Sequence, residues 1–113
     1  RGEIWKLFEI HELTHKILNN SFNYFDQVMG EELALSSTIY ANPYLGLAVL
    51  YAYLDYNSTN PHRIAAINFI RYVAAETGRK DIVENASLMK NLSQAEIQRL
   101  SRLHFNSLVK NIR

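Results

Sequence analysis

His11-Glu12-Leu13-Thr14-His15 places two imidazoles four positions apart, with a carboxylate beside the first. Residues four apart on an α-helix share a face, so both rings can offer a nitrogen to one divalent ion. A carboxylate about 100° further round can reach a water on that ion and take its proton. Zinc suits such ligands and lowers the pKa of bound water to about 7, which makes hydroxide available at neutral pH. With no cysteine in the chain, a metal would have to be held by His, Asp or Glu, and thiol nucleophiles and disulfide scaffolds are excluded.

The pentapeptide resembles that of the thermolysin-like gluzincin metallopeptidases. The resemblance implies zinc held by His11, His15 and a glutamate of the next helix, Glu31 or Glu32, with Glu12 as general base. Tyr24, Tyr40 and His62 are then the groups available to stabilise an oxyanion. Glu9 and Lys16 put charges where active members carry uncharged flanks, and only ten residues precede His11, too few for the sheet that comes before this helix in that fold. A strand-rich segment ahead of Arg1 would supply it, and an opening arginine suggests a fragment or a processed form. The competing reading places both histidines in a packed helix face, their ring nitrogens satisfied by local partners.

The helix that would carry the pair has Ile4, Phe8, His11, His15, Leu18, Phe22 and Phe25 at alternating spacings of four and three, one continuous stripe. Leu7, Ile10, Leu13 and Ile17 widen that apolar face. Similar spacings recur throughout, with two prolines, four glycines and no sustained strand-type alternation, so the chain reads as all-α. Gly30 predicts a stop, and a second helix follows over 31–41. Pro43 opens a third, to about Tyr56, and Pro61 a fourth over 61–77, ended by Gly78. A short helix is expected around 80–90. Ser93 with Glu96 then forms a capping box before a last helix carrying Ile97, Leu100, His104, Leu108 and Ile112 in line. The expected architecture is a single domain over 1–113, a five- to six-helix bundle or irregular helical-hairpin array.

From Asn42 onward, the order of helix, Asn-Pro turn, helix with "VAAETG", short helix and a final helix opening on "LSQAE" resembles the helical hairpins of tetratricopeptide-type repeat proteins. That resemblance implies a scaffold whose groove binds another polypeptide.

Composition agrees with a folded chain, at 48% hydrophobic and 20% charged residues. The longest apolar run, 44–54, has about half the roughly 20 residues of a membrane span, and no secretory signal is visible, so a soluble, intracellular chain is expected. A net charge of +1 gives no overall pull toward nucleic acid. The charge is unevenly placed. Residues 1–60 carry three basic and seven acidic side chains, and residues 61–113 nine basic and four acidic. Arg99, Arg102, His104, Lys110 and Arg113 lie on the last helix, and nucleic-acid readout would need such residues to converge on one groove, so that role is not expected. The Asn-x-Ser/Thr triplets at Asn19, Asn57, Asn85 and Asn91 are too common in so asparagine-rich a chain to indicate glycosylation.

Five of the seven tyrosines, Tyr40, Tyr44, Tyr51, Tyr53 and Tyr56, cluster around the third helix. A helix this apolar cannot bury every side, and exposed tyrosine favours contact with a partner. The expected function is a non-catalytic protein-interaction module of adaptor, chaperone-like or inhibitor type. It would present that tyrosine surface to another protein or peptide and carry no cofactor. The alternative is a zinc-dependent metallopeptidase, or a fragment of one, built on His11, Glu12 and His15.

Overall fold

Two Asn-Pro pairs turn the chain. In each, the asparagine side chain accepts a backbone N–H of the helix that follows: Asn42 from Leu45 at 3.3 Å and Asn60 from His62 at 2.8 Å. Proline takes the first helical position, where no amide hydrogen is needed. The computed structural model describes residues 24–112. In it, α1 spans Tyr24–Ala41, α2 Pro43–Tyr53, α3 Pro61–Thr77, α4 Asp81–Glu84 and α5 Gln94–Ile112, with a 3-10 helix at Ala86–Asn91 between the last two. Among the described residues there is no strand, and the all-α expectation holds. No described helix is long and apolar enough to cross a membrane.

Helix α1 lies at the centre and packs against α2, α3 and α5. Leu35 and Ile39 of α1 meet Leu47 and Leu50 of α2, Phe69, Ile70 and Val73 of α3, and Ile97 and Leu100 of α5 in one buried cluster. Ile82 and Met89 close that cluster from the segment between α3 and α5. Tyr51 helps to pin this segment by donating its hydroxyl to the Ala86 carbonyl at 3.3 Å. Arg63 donates to the carbonyls of Leu54 and Tyr56, at 2.8 and 3.1 Å, so a cation caps the electronegative end of α2.

Four sequence expectations are corrected. Gly30 does not stop a helix; it is buried inside α1, and the two helices expected on either side of it are continuous from Tyr24 onward. A glycine costs a helix only about 1 kcal/mol, which burial of neighbouring Leu33, Ala34 and Leu35 offsets. Helix α2 ends at Tyr53, three residues earlier than expected, in turns that lead to the Asn60 cap. The helix expected over 80–90 is divided at Asn85. That residue is extended, at φ −140°, and its side chain accepts from the amide and hydroxyl of Ser87. The capping box is half formed: Ser93 Oγ accepts the Glu96 amide, but the Glu96 carboxylate pairs with Arg99 at 2.8 and 2.9 Å. Pro61–Thr77 has its expected bounds, and Gly78 ends it in the left-handed conformation at φ 70°.

The corner between α1 and α2 depends on a missing side chain. A Cβ on Gly46 would press on the Ile39 Cα and stand 2.7 Å from Ile39 Cγ1 and 2.8 Å from its backbone nitrogen. Gly→Ala inside a helix ordinarily stabilises by about 0.5–1 kcal/mol. Gly46→Ala is expected instead to destabilise by about 2 kcal/mol, because backbone must move to admit the methyl. Gly78→Ala, with open space but a left-handed φ, should cost about 1 kcal/mol. Urea unfolding of both variants checks the order; a stabilised Gly46→Ala would refute the close approach.

Candidate functional site

Adjacent glutamates on α1 point to different neighbours. Glu31 Oε1 lies 3.1 Å from Nε2 of His62, at the start of α3. The other ring nitrogen of His62 donates to Asn60 Oδ1 at 2.9 Å; that oxygen already accepts the His62 amide, so Nδ1 must carry the hydrogen. The ring stands edge-on to Tyr53 and Tyr56, with centroids 4.7 and 5.4 Å away.

Glu32 is buried at 5% exposure. Its carboxylate accepts from Asn68 Nδ2 of α3 and from His104 Nε2 of α5, both at 2.6 Å. His104, itself 7% exposed, packs between Phe69 and Tyr72, and its Nδ1 has no partner among the described residues. A buried carboxylate needs hydrogen-bond donors, and both oxygens of Glu32 have one here.

These contacts engage both carboxylates proposed as metal ligands. His11, Glu12 and His15 lie outside the described residues. Among the described residues no group of three or more His, Cys, Asp or Glu is placed to hold a metal.

The five tyrosines separate into two sets. Tyr53 is buried, at 8% exposure, and belongs to the core, so it offers no ring to a partner. Tyr51 is half-buried and spends its hydroxyl on Ala86. Tyr40, Tyr44 and Tyr56 face outward, at 48%, 68% and 43% exposure. Tyr40 lies in the last turn of α1 and Tyr44 in the first turn of α2, so they share the corner that Gly46 makes tight. Across this corner, Gln98 Nε2 of α5 donates to the Tyr40 carbonyl at 2.9 Å, holding the end of α1 against α5.

Beside Tyr40, between α1 and α5, is a cleft of about 260 Å³. Its described lining is Ser36, Ser37 and Tyr40 from one helix and Ser101, Arg102 and Phe105 from the other. The helices run antiparallel, since Glu32 meets His104 while Tyr40 meets Gln98. Small serines at the facing positions leave the space open between aromatic side chains. Ser36, Ser101 and Phe105 were not singled out from sequence. Their signal is the shared spacing of Ser36, Ser37 and Tyr40 with Ser101, Arg102 and Phe105, which says nothing of which helices meet.

No protein-family model matches the chain, and no curated protein or solved structure compared with it matches.

Burial raises the Tyr53 phenol above the ordinary range, with the Glu31 charge and Tyr56 adding to it. Tyr51 and Tyr72 are raised as well, each chiefly by burial. A raised phenol binds its proton more tightly in the folded state, so its stabilising contribution is complete below the unfolded tyrosine pKa of about 10 and is lost as pH rises beyond it. Urea midpoints from about pH 8 to about pH 12 should fall less steeply for Tyr53→Phe than for the wild type. Equal slopes would contradict the assignment. For the buried cluster, Glu32→Ala should destabilise by about 3 kcal/mol, because Asn68 and His104 keep donors with no acceptor. A double-mutant cycle with His104→Ala should give a coupling above about 1 kcal/mol, and additivity would show that the pair does not act as a unit.

Proposed function

We propose that this chain is a non-catalytic protein-interaction module, with Tyr40 and Tyr44 as the anchors by which it holds another polypeptide. The observation that carries the reading is the exposure of both rings at one braced helical corner. Neither hydroxyl has a partner among the described residues. A tyrosine held out in this way offers a large apolar face and a free donor while losing little side-chain freedom on binding. Such rings dominate the energetics of many interfaces. The corner adds rigidity, since the Asn42 cap, the Gly46 contact and the Gln98 hydrogen bond all restrain it. Tyr56 lies at the other end of α2, tied to the His62 ring, and extends the outward aromatic surface.

The test is selection of a phage-displayed random peptide library against the folded chain, followed by calorimetry on the recovered peptides. Wild-type protein is expected to enrich a definable set of sequences. Tyr40→Ser with Tyr44→Ser should weaken their binding by at least about tenfold, as loss of an interface hot spot does, while the melting temperature changes little because both side chains are exposed. Enrichment that survives the double substitution unchanged would place binding elsewhere, and no enrichment at all would overturn the reading.

A further inference from the structure

Helix α2 covers the core with one face and turns the other to solvent. Gly46, Leu47, Leu50 and Tyr53 lie on its buried side. Tyr44, Ala48 and Ala52 follow one another at four-residue spacing along the outer side, all three exposed, with half-buried Leu45 and Val49 next to them. No side chain of Pro43–Tyr53 is charged, and the tyrosine hydroxyls are its only polar side-chain groups. The solvent face of a helix ordinarily carries charge, and a contiguous apolar one marks a contact with another surface. Tyr44, at 68%, is the most exposed large hydrophobic residue among those described. The outer face therefore has a ring at one end and two methyl groups, one and two turns further on.

Building on the interaction reading, we infer that the polypeptide held on Tyr44 is a second copy of this chain, docked through α2 about a two-fold axis at Ala48. The two helices run antiparallel, so each Tyr44 ring lies over the partner's Ala52 and the two Ala48 methyls meet at the axis. Shape favours a copy over another partner. The ring and the hollow stand at equal distances on either side of Ala48, so a copy turned end for end sets a ring in each hollow. Residues four apart form the ridges along which helices interdigitate, and alanine at the crossing lets the axes approach to about 8 Å. Charge agrees with shape. A two-fold axis sets residues near it against their own twins, so a charged side chain on this face would oppose itself, and α2 carries none. Area sets the strength. A tyrosine buries roughly 150–250 Å² when fully covered, so Tyr44 with the smaller neighbours brings on the order of 400 Å² from each copy. Two copies then bury about 800 Å², below the roughly 1,200 Å² at which stable complexes begin, which makes the dimer a reversible one.

Sedimentation equilibrium from about 10 µM to about 1 mM should show the wild-type chain passing reversibly from monomer to dimer. Tyr44→Ser should weaken the dimer about tenfold, as loss of an interface anchor does. Ala48→Arg and Ala48→Glu should each be monomeric with little change in melting temperature, because the site is exposed and each new charge would face its twin. Mixing these two variants should restore a dimer with one copy of each, read by native mass spectrometry, since an axis at this position brings the opposite charges together. A wild-type chain that stays monomeric throughout the range would overturn the inference. So would a dimer that survives Ala48→Arg, or charge variants that fail to pair when mixed. A large fall in melting temperature for Ala48→Arg would overturn it too, because the alanine would then be packed within the chain's own fold. If the chain stays monomeric yet enriches library peptides whose binding depends on Tyr40 and Tyr44, the interaction reading stands and only the second copy is ruled out. Loss of both dimer and enrichment would remove the two together.

Discussion

The carboxylate of Glu32 is the constraint around which the described helices are arranged. It sits on the central helix α1, out of water, and a buried charge is tolerated only with donors close at hand. Asn68 comes from α3 and His104 from α5, each within 2.6 Å. Both helices must therefore meet α1 in one rotation and one register. An apolar contact could slide by a turn at modest cost, whereas a hydrogen bond to a buried carboxylate cannot. The aromatic contacts of His104 with Phe69 and Tyr72 join the same polar centre to the α3 side of the core.

That register has a consequence further along the same helix pair. Because Glu32 meets His104 and the helices are antiparallel, the serines one turn on are brought into facing positions and Tyr40 is brought to Gln98. Side chains too small to fill the gap leave the cleft. The polar centre and the cleft are thus two parts of one interface. The first holds α1 against α5, and the second leaves an opening where the packing is thin.

The tyrosine corner is held by different physics. A cap, a proline and a glycine with no room for a side chain make the α1–α2 turn sharp and stiff. Rings on a stiff turn remain available without the entropic cost of ordering a loop. Tyr51 and Tyr53, only a few positions on, are drawn inward by the segment from Ala86 to Met89 and by the core. One short helix therefore contributes aromatic rings to both the inside and the outside of the protein.

Local chemistry was enough to read the all-α class, the helix from Pro61 to Thr77 and the starts of α2 and α5. Asn-Pro caps, a left-handed glycine and a serine N-cap act within a few residues, so their signals lie in the string itself. The continuity of α1 through Gly30 and the division at Asn85 were not legible in the same way. Propensity favoured a stop at the glycine until burial outweighed it, and a side-chain hydrogen bond at Asn85 competed with the helix backbone. In α2 nearly every side chain is apolar, so periodicity could not say which tyrosines face out; the neighbouring helices decided it. Glu32 and His104 are 72 positions apart, and neither carries a local mark of the other. Short-range signals in the string mark the starts of α2, α3 and α5. Which carboxylate is hydrogen-bonded, which hydroxyl is left over and which rings meet solvent depend instead on side chains that the chain brings together only when it folds.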